Sequence, residues 1–166
     1  MQKISLNPTQ IMLIALGFCV LCITPAYATY EHGNGALQIW DAEGQANAPA
    51  WVQVWLGIMA VSMLSGFLFI WKYVEARWVV GCVFVGILVT RFLVPALPVV
   101  KFSGLIALLH LVFWSPALFI LLKNKPFTKG LSFYAVWSGL ITSVILFSFI
   151  FDIRDAAIYL HYLATR

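Results

Sequence analysis

Residues 78–122, WVVGCVFVGILVTRFLVPALPVVKFSGLIALLHLVFWSPALFILL, decide the fold. Only Arg91 and Lys101 carry a formal charge in this stretch, and Lys101 divides it into apolar runs at 78–100 and 102–122. An α-helix rising 1.5 Å per residue needs about 20 residues to cross roughly 30 Å of hydrocarbon. Each run is therefore long enough to cross a bilayer, and the break between them forces the chain to turn back.

Two further runs of the same kind flank this pair, at 51–71 and 131–151. Helices are the expected form, because lipid leaves every backbone group to be satisfied within the segment. A barrel would show alternating strands of about ten residues, and none is present. The connectors are KYVEAR, the single Lys101, and KNKPFTKG; links this short join antiparallel neighbours. The fold class expected is all-α: a polytopic membrane protein with an antiparallel four-helix transmembrane bundle at 51–151.

Composition agrees. Of the 166 residues, 63% are hydrophobic and 10% charged, against roughly 45–50% and about 25% in soluble domains. A soluble chain of this size could not hide so much apolar surface. Soluble enzymes, nucleic-acid-binding modules and disordered tails are excluded, so the expected surroundings are the lipid bilayer and no nucleic acid. The net charge of +4 reads as topology rather than as a sign of an anionic partner.

The amino terminus has the pattern of a leader. Lys3 precedes the uncharged run IMLIALGFCVLCI at 11–23, followed by Ala26 and Ala28 in an A-x-A arrangement. A signal peptide at 1–28 is expected, cleaved after Ala28; if the leader is retained, the helix count becomes five. Cys19 and Cys22 lie inside the apolar run and read as small apolar residues, leaving Cys82 as the lone thiol of the mature chain.

Residues 29–50 form an exported polar segment. Lys72, Arg77, Lys123, Lys125 and Lys129 fall on one side of the spans, against Lys101, Arg154 and Arg166 on the other. The richer side is expected to be cytoplasmic, which agrees with an exported residue 29. The localisation expected is a bacterial cell (inner) membrane, with both ends exported. The tail at 152–166 reads as a weakly amphipathic segment on the exported face or as an extension of the fourth span, with Asp152 or Asp155 as a helix cap.

Arg91 is the residue most open to a functional reading, since arginine within a span usually faces a polar interior or a partner. His110 enters the next span to a similar depth. Ser62, Thr142 and Ser143 reach the same level from the first and fourth spans, so a polar intramembrane layer of Arg91, His110, Ser62, Thr142 and Ser143 is geometrically possible. Asp152, Arg154 and Asp155 form a charge cluster at the exported face, expected to cap and pair locally. Pro95, Pro98 and Pro116 bend or end helices, and Ser62/Gly66, Cys82/Gly86 and Gly139/Ser143 repeat small residues at the spacing that lets membrane helices approach closely.

No serine-histidine-acid set, phosphate loop or paired intramembrane carboxylate is present, so no enzymatic activity, catalytic residue, metal or cofactor is expected. His32 and His161 lie outside the spans. The expected role is an accessory or assembly subunit packing against a membrane-protein partner or a second copy of itself. A small oligomeric channel or carrier with an Arg91/His110 constriction is one alternative; a haem or quinone redox protein using His110 is another.

Overall fold

The computed structural model describes residues 35–166, so the signal peptide expected at 1–28 lies outside the described residues. The described chain is helical, and four of its helices are long and apolar enough to cross a membrane. A 3-10 turn at Gly35–Leu37 leads to the short helix α1 at Ala42–Ala46 and to α2 at Ala50–Leu64. Helix α3 covers Val74–Leu88 and continues through a π turn at Val89–Leu93 to Val94–Ala96. Helix α4 runs over Ser103–Asn124 and α5 over Phe133–Ala164.

Local chemistry explains where these helices begin and end. Asp41 Oδ1 accepts the Gly44 amide at 2.8 Å and caps α1, while Ser132 Oγ accepts the Ala135 amide at 3.1 Å and starts α5; both satisfy amides that a helix start leaves unpaired. Arg77 Nε donates to the Ile70 carbonyl at 2.8 Å just after α2 tightens into the 3-10 turn Ser65–Leu68. Helix α4 closes on Lys125, which takes a left-handed conformation at φ 44°, and Pro126 follows, which cannot prolong a helix.

The second span differs from its expected bounds. It covers Val74–Ala96 rather than 78–100, because Pro95 and Pro98 stop the helix before the apolar run ends. Pro95 has no amide to give, and its ring crowds the carbonyl four residues back, that of Arg91. The helix widens there: the Val94 amide reaches the Val89 carbonyl, five residues back. The fourth span also differs. It passes 151 without a break and ends at Ala164, so Asp152 and Asp155 lie inside α5 and cap nothing. The tail takes the second of its two expected forms, an extension of the span.

Helix α5 is central, with 61% of its apolar window buried against 11% for α3. Helix α4 packs along both, and α2 touches α5 and α3. Trp137 Nε1 of α5 donates to the Ser62 carbonyl of α2 at 3.0 Å, beside Gly66, where a Cβ would lie 2.9 Å from Trp137 Cζ2 and 3.0 Å from Val80 Cγ2. The small residue expected to admit a close helix approach does so here.

One end of the assembly is closed by a strap. The Trp40 amide donates to the Lys101 carbonyl and the Ser103 amide to the Gln38 carbonyl, each at 2.8 Å. Ala36 is buried, whereas Ile39 stays exposed. Backbone pairing seats this segment more than its large side chains do. At Gly104 a Cβ would meet Tyr159 Cβ at 2.6 Å, the Asp155 carbonyl at 2.8 Å and the Ala36 carbonyl at 2.9 Å, so the strap, the start of α4 and the end of α5 meet at one point.

Candidate functional site: a cleft with a cationic end

A half-open cleft of about 690 Å³ lies among α2, α3 and α4, within the roughly 300–1,000 Å³ of ordinary small-molecule sites. Leu56, Met59 and Met63 of α2 face Val83, Phe84 and Ile87 of α3 across it. Ile106, His110 and Trp114 of α4 also line it. Polar character concentrates toward the strap, where Arg91, Lys101, Trp40 and Gln45 contribute. Among the described residues, no aspartate or glutamate lines the cleft.

Arg91 is exposed and makes no hydrogen bond or ion pair among the described residues. Because α3 ends at Ala96, Arg91 lies five residues from the end of the span, about 7.5 Å along the axis at 1.5 Å per residue. Arg91 remains within the span, and the π turn and the prolines bring it near the boundary of the helix, at the end that leads to Lys101. Thr90 turns its hydroxyl back to the Gly86 carbonyl at 2.7 Å, which leaves Arg91 as the polar side chain of that turn with bonding capacity unused.

His110 forms part of the cleft wall. Its ring stacks on Trp114 with centroids 4.0 Å apart and planes at 14°. Nδ1 lies 3.4 Å from Asp152 Oδ1 on α5, and Asp152 Oδ2 accepts the Ser148 hydroxyl at 2.8 Å. This is the sole ion pair among the described residues, and it forms only when the imidazole is protonated. The cluster expected of Asp152, Arg154 and Asp155 is therefore divided: Asp152 is buried and turned toward α4, Arg154 is exposed and Asp155 half-buried. Asp152 caps nothing; its partners are His110 on α4 and Ser148 one turn earlier in α5.

The five-residue polar layer is also divided. Arg91 and His110 share the cleft, while Ser62, Thr142 and Ser143 do not line it. Thr142 donates to the Ser138 carbonyl at 2.6 Å and Ser143 to the Gly139 carbonyl at 3.0 Å. These hydroxyls are satisfied within their own helix, the usual fate of serine and threonine in apolar surroundings. Ser62 contributes its carbonyl to Trp137.

A second polar cluster, at the far end of the helices, escaped the sequence reading. Glu75 is buried; its Oε1 accepts Asn124 Nδ2 at 2.9 Å and its Oε2 accepts the Tyr134 hydroxyl at 2.8 Å. Tyr73 stacks on Tyr134 with ring centroids 3.5 Å apart. The cluster joins the start of α3, the end of α4 and the start of α5. In sequence Glu75 is one acid in a basic connector, and no spacing links it to residues 49 and 59 positions later.

Comparison with protein-family models, with curated proteins and with solved structures finds no match for this chain.

Proposed function

We propose that this chain is an antiparallel four-span bundle of a bacterial inner membrane that serves as an accessory or assembly subunit, packing α3 against a membrane-protein partner. The supporting observation is a bare stripe on α3. Trp78, Gly81, Val85, Leu88 and Phe92 follow one another at helical spacing, all exposed, and none of them lines the cleft. A Cβ at Gly81 would have nothing within 4 Å. Membrane helices associate through close backbone approach at small residues rather than through hydrophobic driving force, and Gly81 between bulky neighbours offers such a seat.

The threading follows from charge. Lys72, Arg77, Lys123, Lys125 and Lys129 belong to the end that holds Glu75, and that end is assigned to the cytoplasm. The strap, Lys101 and the end of α5 belong to the exported side.

Gentle extraction from native membranes followed by native mass measurement tests the role. A complex heavier than the 18.6 kDa chain is expected. Gly81→Trp should release the companion, whereas Val112→Trp on the exposed face of α4 should retain it. A lone monomer, or equal effects of the two variants, would overturn the assignment.

A further inference from the structure

We propose that the cleft among α2, α3 and α4 is a binding site for an anionic phospholipid, with its phosphate held by Arg91 and Lys101 and an acyl chain laid against Met59, Met63 and Phe84. Charge complementarity carries the argument. Among the described residues, two cations line one end of the cleft, no carboxylate lines any part of it, and Arg91 has no partner. An arginine within a span costs free energy unless something answers its charge. A phosphate does so with paired, charge-assisted hydrogen bonds that match the guanidinium fork.

Position selects a lipid as the source of that phosphate. Arg91 lies about 7.5 Å inside the end of its span, on the side of Lys101 and the strap, where headgroups of the surrounding bilayer are found. Basic pockets between membrane helices take up anionic headgroups in this way. Below the cations the lining is apolar, and Met59 and Met63 are unbranched and adaptable, suited to a flexible chain. The half-open form lets a lipid enter sideways without disturbing α5. His110 is already engaged on its Asp152 side, so it closes the wall while the two cations hold the head. The stripe assigned to a partner protein shares no residue with this lining, so the two sites are separable.

Native mass spectrometry of the detergent-purified full chain, offered dioleoyl-phosphatidylglycerol and dioleoyl-phosphatidylcholine in equal amounts, tests the site. One phosphatidylglycerol should be retained over phosphatidylcholine by about tenfold, because both headgroups carry the phosphate and only that of phosphatidylcholine adds a cation beside the two basic side chains. The double variant R91Q/K101Q should lose that preference without losing phosphatidylcholine adducts. The double variant K123Q/K125Q, altered at the opposite end, should keep it. Ala60→Phe, which fills the cleft, should reduce retention of both lipids.

Equal retention of the two lipids by the unaltered chain overturns the proposal, as does a preference that survives R91Q/K101Q or vanishes equally in K123Q/K125Q. Displacement of phosphatidylglycerol by millimolar inorganic phosphate with equal thermal protection would make the site one for free phosphate and overturn the lipid assignment. A co-purifying protein that excludes phosphatidylglycerol and is itself released by R91Q/K101Q would do the same.

Discussion

His110 on α4 and Asp152 on α5 face each other across the helix interface, with Nδ1 3.4 Å from Oδ1. The carboxylate is buried and also receives the Ser148 hydroxyl. It thus links two helices at a place where the sequence offers only a scatter of charges. Asp152→Ala should leave Ser148 and His110 without their acceptor and cost about 1–3 kcal/mol. Asp152→Asn, which keeps an acceptor oxygen, should cost less. Thermal unfolding in detergent measures both. A cycle with His110→Ala should show coupling, and strict additivity would remove the pair as an energetic unit.

How far the sequence reveals this arrangement depends on the kind of information needed. Spans were legible because hydropathy is a property of contiguous residues, and each of the four runs holds a long apolar helix. Their limits were less legible. Apolar Val99 and Val100 count toward a span by hydropathy, yet Pro95 and Pro98 end the helix before them, and Arg91 moves toward the boundary as a result. Likewise 152–166 read as a tail because its charges break the apolar run. The continuation of α5 becomes evident only when Asp152 meets His110 and when Ala156 and Tyr159 are buried. Arg91 and His110 were legible as residues of similar depth because each is a polar group within an apolar run, and both line the cleft. Glu75 was not, because its partners Asn124 and Tyr134 are close only after three helix ends converge.

The Glu75 cluster predicts a specific loss. Both carboxylate oxygens accept, from Asn124 and Tyr134. Glu75→Gln turns one acceptor into a donor and should cost about 1–3 kcal/mol, the scale of one mismatched buried group. Glu75→Gln combined with Tyr134→Phe should cost less than the sum of the single changes. Unfolding midpoints of the four proteins decide the matter.

Two glycines should respond with opposite sign. Gly104→Ala would place a methyl group 2.6 Å from Tyr159 Cβ and under 3 Å from two backbone carbonyls, and neither helix nor strap can yield cheaply; a loss of about 1–3 kcal/mol is expected. Gly81→Ala meets open space and should be neutral or gain up to about 1 kcal/mol through helix preference. Parallel melts in one detergent check the contrast, and equal shifts would contradict the packing at Gly104.

Trp137 provides a test of the α2–α5 contact. Trp137→Phe removes the indole donor to the Ser62 carbonyl and should cost at least the 0.5–1.5 kcal/mol of roughly one net hydrogen bond. Gly66→Ala, which presses a methyl group toward the indole ring, should destabilise the original chain. In the Trp137→Phe background, where Cζ2 is gone, it should cost less. Non-additivity in that direction identifies the indole as the obstructing group.

The strap also imposes a timetable on biogenesis. Residues 38–40 are synthesised well before their backbone partners, Lys101 and Ser103, which follow two intervening span-length helices. This stretch must wait, its hydrogen bonds satisfied by water, until α4 begins. Chains arrested before residue 101 should therefore leave this stretch open to added protease, while chains released beyond Ala164 should shield it.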